Sequence, residues 1–246
     1  VTFIKNRTIL IAGCLISSFF AARSQDAGRI SIGLEGGLSN NIISTNISNR
    51  VSTILQYNTG YTIGIPVQYR ITNWLGVEAA SNIMQKNYTI SRTDSLTGVY
   101  QQFNNTYLQL PLTARFTYGW RRIQFFANLG GYVGYWAGSR ISGRVPDILS
   151  ARDSIGASGQ SSESILLVGY DRKYQFDSRR DARLEFGWVA GAGVQYLLKD
   201  KYDFFARCNY YYALTNQQKD DYKGQTPQYN ETFAFTLGAM VTLGKN

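Results

Sequence analysis

The segment YLQLPLTARFTYG, residues 107–119, decides the fold. Leu108, Leu110, Leu112, Ala114, Phe116 and Tyr118 take one parity, while Gln109, Pro111, Thr113, Arg115 and Thr117 take the other, the two-residue period of a β-strand. Pro111 stands in its middle, where the missing N–H removes a ladder bond and normally demotes a run to an edge strand. IPVQYRI (65–71) repeats the device, so that Pro66 and Pro111 each precede by four residues an arginine of their own parity, Arg70 and Arg115. A closed sheet has no edge to receive such strands. There the two wall prolines read either as β-bulges that shape the wall or as small local losses that the wall tolerates.

The same alternation recurs near residues 29–39, 59–71, 75–90, 106–118, 122–138, 182–198, 202–214 and 231–243, which makes eight strands. The intervals at TNW (72–74), GWR (119–121) and KDK (199–201) are tight, whereas 40–58, 91–105, 140–181 and 215–230 are long and polar. Short and long connections alternate throughout. That order predicts an all-β, eight-stranded antiparallel up-and-down transmembrane β-barrel with short periplasmic turns and long surface loops.

One parity is apolar and aromatic, as in Tyr61, Ile63, Ile65, Val67, Tyr69 and Ile71, or Phe233, Phe235, Leu237, Ala239, Val241 and Leu243. The other carries the charges. A soluble calycin-like ligand-binding barrel would turn the apolar parity inward and a membrane barrel outward, and periodicity alone fits both. Three features favour the membrane arrangement. Tyr69, Trp74, Tyr118, Trp120, Tyr196 and Tyr202 flank the short turns as an aromatic belt would. The apolar parity stays nearly free of charge over about nine to eleven residues, enough for a tilted strand to cross. Glu35, Glu78 and Glu185 can offset Arg70, Arg115 and Arg207, which predicts an ion-pair network inside a lumen filled by side chains.

Residues 1–24 read as a secretory signal peptide, with Lys5 and Arg7 before the apolar run ILIAGCLISSFFAA (9–22) and cleavage after Ser24, leaving 25–246 as the barrel domain. The alternative is a lipoprotein box, IAGC, ending at Cys14. Cleavage after Ser24 removes Lys5, Arg7 and Arg23 and no acid, so the formal charge of +9 falls to +6. A basic exported chain suits the phosphates of outer-membrane lipid and lipopolysaccharide, an acidic glycan or a protein partner. No basic run interleaves with aromatics, so nucleic acid is not an expected partner. Histidine is absent, which removes the commonest general base and transition-metal ligand, and no Gly-rich phosphate loop or metal-spaced acid cluster takes its place. No catalytic residue, metal site or cofactor is expected.

With ISIGLEGGLS (30–39) as its first strand, YLQLPLTARFTYG within and FAFTLGAMVTLG (233–244) at its close, the chain resembles the PorT-like outer-membrane β-barrel proteins of Bacteroidetes. The resemblance implies an eight-stranded outer-membrane barrel, one member type being associated with type IX secretion and gliding. The expected function is therefore a non-enzymatic outer-membrane barrel that acts through surface loops in binding or envelope organisation. A type IX secretion accessory or narrow conduit is the alternative. The interval 140–181 carries most of the surface reading, because loops of that length are usually functional or disordered. Its apolar island SESILLVGYDRKYQF (162–176) points to a β-extension above the membrane that could meet a protein or glycan partner, or to plain strand overhang. Ser95 in DSL (94–96) and Ser154 in DSI (153–155) match a short acceptor pattern for O-glycosylation in these bacteria.

Overall fold

The computed structural model describes residues 28–45, 52–120, 122–147, 167–199, 201–219 and 227–243. The expected signal peptide and Ser154 lie outside them. The strands are β1 (Arg29–Ser44), β2 (Thr53–Arg70), β3 (Leu75–Gln85), β4 (Tyr88–Arg92), β5 (Tyr100–Trp120), β6 (Ile123–Pro146), β7 (Leu167–Lys173), β8 (Leu184–Leu198), β9 (Tyr202–Ala213) and β10 (Tyr229–Leu243). These ten elements fill eight places in one antiparallel ring. β3 and β4 both lie between β2 and β5, and β7 and β8 follow each other along β6. The ring closes where β1 pairs with β10 from Ile30↔Leu243 to Ser44↔Tyr229.

The orientation of the two parities settles the choice that periodicity left open. Leu34, Leu38, Ile63, Leu110, Leu112, Phe125, Leu129, Phe235 and Leu237 are exposed on the outside, while Glu35, Glu78, Arg115, Glu185 and Arg207 are buried inside. A soluble calycin would show the reverse. An apolar outer wall of this extent needs hydrocarbon around it, so the barrel is transmembrane.

Much of the sequence read as long loops is strand. β5 has 21 residues; at about 3.3 Å per residue and about 40° of tilt it climbs some 50 Å, roughly twice the apolar band of such a barrel. β2, β4, β5, β6 and β7 therefore continue as a sheet beyond the membrane, with Leu167–Lys173 of the apolar island paired to Arg140–Pro146. In the 91–105 connection the chain also makes one 3-10 turn, Asp94–Leu96, which holds Ser95.

The prolines do not mark bulges. The Ile32↔Val67 and Glu35↔Gly64 pairs bracket Pro66, and the Ala79↔Leu112 and Asn82↔Gln109 pairs bracket Pro111, with one register on both sides of each gap. Each ring interrupts one ladder locally and leaves the other intact, through Pro66↔Ala80 and Pro111↔Tyr132. Register shifts occur instead near the mouth. One lies in the β5–β6 ladder between Thr106 and Tyr107. In another, Tyr57 to Thr62 of β2 faces Tyr88 to Met84, one residue fewer.

Candidate functional site: a filled and capped lumen

The lower lumen is organised by four charges from four strands. Arg207 on β9 donates to Glu35 on β1 and to Glu78 on β3, and Arg115 on β5 donates to the other oxygen of Glu78 at 2.5 Å. Arg115 also reaches Gln195, whose amide donates to Gln124 at 2.7 Å. Thr236 donates to Glu35 and accepts from Arg207 Nε, both at 3.3 Å. Two arginines and two glutamates make the cluster electrically neutral. Beneath it Phe126, Phe205 and Met240 form an apolar floor, and the Arg115 guanidinium sits 3.6 Å from the Phe126 ring centre.

A second cluster lies nearer the extracellular end. Lys86 is fully buried and pairs with Glu185 on β8. Tyr132 Oη and Asn230 Nδ2 donate to the two Glu185 oxygens at 2.9 and 2.6 Å. The Lys86 ammonium stands 5.0 and 4.9 Å from the Tyr107 and Tyr132 ring centres, so the ion pair is walled by aromatic faces. Lys86 owes its position to the break between β3 and β4. There Lys86 N and O bond Asn105, and the Asn87 amide bridges from Thr59 O to Asn105 N, which restores the ladder by side chains.

The expected network thus has a different membership. The structure brings Glu35, Glu78, Arg115 and Arg207 together and gives Glu185 a separate partner. Arg70 is half-buried at the periplasmic rim opposite Arg29, outside both clusters. Lys86, missing from the sequence reading, takes its place.

Above the second cluster the mouth is capped. Residues 174–183 leave the wall between β7 and β8 and fold inward, held by Tyr174 N to Ser139 O and Trp136 N to Arg183 O. Trp136 stacks on Tyr107 below and Tyr174 beside it, and meets Phe176 edge-on at 4.9 Å. The segment after β9 locks this cap. Asp181 bridges to Gln218, and the Gln217 amide donates to Tyr107 Oη at 3.1 Å. Between the layers, Glu78, Pro111, Asn128, Arg207, Asn209 and Tyr211 border a cavity of about 10 Å³, room for about one water.

The six expected belt aromatics are all exposed at the short-turn end: Tyr69, Trp74, Tyr118, Trp120, Tyr196 and Tyr202. Tyr57, Tyr61, Tyr135 and Trp188, also exposed, lie toward the opposite ends of their strands.

An antiparallel ring with lipid-facing apolar walls, aromatic rims and paired charges inside its lumen defines an outer-membrane β-barrel. The outer membrane protein beta-barrel domain matches residues 20–218, and the chain belongs to that family. Its place is the outer membrane. No curated protein matches the chain. Among solved structures it is similar to Neisserial surface protein A, with 13% identity, 87% of this chain and 97% of that chain covered, and a TM-score of 0.44. It is similar also to OprG from Pseudomonas aeruginosa, with 15% identity, 89% and 97% covered, and a TM-score of 0.47. Ail, the attachment invasion locus protein of Yersinia pestis, shares 14% identity over 88% and 99%, with a TM-score of 0.39.

Proposed function

We propose that this chain is a non-enzymatic, PorT-like barrel that conducts nothing through its lumen and acts through its extracellular sheet in binding or in organising the cell envelope. One asymmetry carries the reading. The lumen is closed by three successive layers of side chains, whereas one arc of the wall, β2 with β4 to β7, continues far beyond the membrane. Material invested above the bilayer points to a surface role. The filled interior weighs against the conduit alternative.

The extended sheet offers Arg140, Arg144 and Lys173 on one face, with Asp171 paired to Arg140. A protein or an acidic glycan fits that face, and lipopolysaccharide phosphates lie at its foot. Ser95 and, by sequence, Ser154 belong to the same end, where a glycan would be attached.

The test combines two measurements. The purified barrel in planar lipid bilayers is expected to give no steady conductance, and protease added to intact cells is expected to cut between residues 147 and 167 while sparing the barrel. Large ion-selective openings would replace the surface reading with the conduit. Cleavage only after lysis would place this connection in the periplasm and remove the basis of the proposal.

A further inference from the structure

The periplasmic end has its own charge character. Arg122 stands in the β5–β6 turn and Lys199 and Lys201 in the β8–β9 turn, all three exposed. The two turns are neighbours, because Leu197 N donates to Arg122 O at 2.7 Å and Ile123 faces Tyr196 across the β6–β8 ladder. Among the described residues no exposed acid shares this end, since Asp203, the nearest, is buried in the lumen. Arg121 and Asp200, which belong to the same two turns by sequence, cancel each other.

The aromatics fix the depth of these cations. Trp120 is 90% exposed and Tyr118 74%, Tyr196 and Tyr202 are exposed beside them, and Lys201 Nζ lies 6.0 Å from the Tyr202 ring centre. Amphipathic rings of this kind settle at headgroup level, so the adjacent cations sit among the phosphates of the periplasmic leaflet. Zwitterionic headgroups carry no net charge to answer three neighbouring cations. We propose that the β5–β6 and β8–β9 turns form a binding site for anionic phospholipid headgroups, with Arg122, Lys199 and Lys201 holding the phosphate and Trp120 and Tyr202 packing on the glycerol region. The site is independent of whatever the extracellular sheet binds.

Trp120 is its own reporter. In a W74F/W188F background the remaining tryptophan, Trp136, is shielded in the lumen. The full barrel is folded into phosphatidylcholine vesicles in which a minor fraction of brominated lipid is either phosphatidylglycerol or phosphatidylcholine. Quenching of Trp120 is expected to report phosphatidylglycerol enriched about five-fold or more beside it, the order of one cation's attraction, and this enrichment is expected to fall toward parity as salt is raised. R122Q/K199Q/K201Q, with folding checked by heat-dependent gel mobility, is expected to show parity at low salt. Equal quenching by the two lipids, or a preference that survives salt or the triple substitution, overturns the proposal. Equal quenching together with salt-sensitive capture by poly-glutamate assigns the patch to an acidic protein instead, and equally overturns it.

Discussion

Arg115 and Glu78 meet at 2.5 Å in a part of the lumen where Arg115 retains 1% exposure, and Glu78 simultaneously holds Arg207 from the other side. Removal of the shared acid breaks two pairs; removal of Arg115 breaks one. Glu78→Ala is therefore expected to cost about 3–5 kcal/mol and Arg115→Ala less, with the double variant well short of the sum. Urea unfolding in lipid vesicles measures all three. Simple additivity would mean that the two charges are not coupled.

Lys86 and Glu185 supply the complementary case, a pair with aromatic walls in place of a second ion. Lys86→Met alone is expected to strand the Glu185 carboxylate and to lower stability by about 3–5 kcal/mol, whereas Lys86→Met with Glu185→Gln recovers most of the loss. Midpoints from the same urea series decide it, and a double variant as weak as the single would show that the pair itself holds the wall.

Close backbone approach gives a third expectation. A Cβ on Gly130 would fall 2.0 Å from Leu112 O across the β5–β6 ladder, while one on Gly138 meets nothing within 4 Å. Gly130→Ala is expected to force a strand shift costing about 1–3 kcal/mol, and Gly138→Ala to leave the unfolding midpoint unchanged. Equal effects would place the β5–β6 contact elsewhere.

Burial and the hydrogen bond to Asp181 push the Tyr174 phenol up to about 12 from its ordinary value near 10. The unfolded cap then loses this proton before the folded one, so the contribution of Tyr174 is complete below pH 10 and is lost as pH rises toward 12. Protease sensitivity of residues 174–183 is expected to rise across that window in the parent protein. Tyr174→Phe is expected to abolish the rise, and an unchanged profile in that variant would assign the titration to another group.

What the sequence disclosed follows from where hydrophobic contrast exists. Between the rims one parity faces lipid, so the strands, the faces and the belt from Tyr69 to Tyr202 were legible. Above the membrane that contrast fades: in Thr53–Asn58 the apolar residues Ile54, Leu55 and Tyr57 fall on both parities, and Gln101–Asn105 is polar apart from Phe103, so neither segment carries an alternation to betray a strand. Lys86 was within reach, because it shares the parity of Glu78 in the run 75–90, and Arg70 sits where the preceding run, 59–71, meets the periplasmic rim. The register shift at Thr106/Tyr107 and the inward fold of residues 174–183 depend on neighbours far along the chain, which a local period cannot convey.

The β1–β10 seam carries a consequence for biogenesis. Glu35, on the ring's first strand, finds Arg207 only 172 residues later, and the ladder that encloses both is completed by the ring's last strand. Until β10 arrives, the nascent wall has two bare edges and an interior charge facing hydrocarbon, neither of which a bilayer accepts. Insertion is consequently a single cooperative event, and the cell must escort the whole polypeptide, unfolded and edge-protected, across the periplasm before any of it can settle.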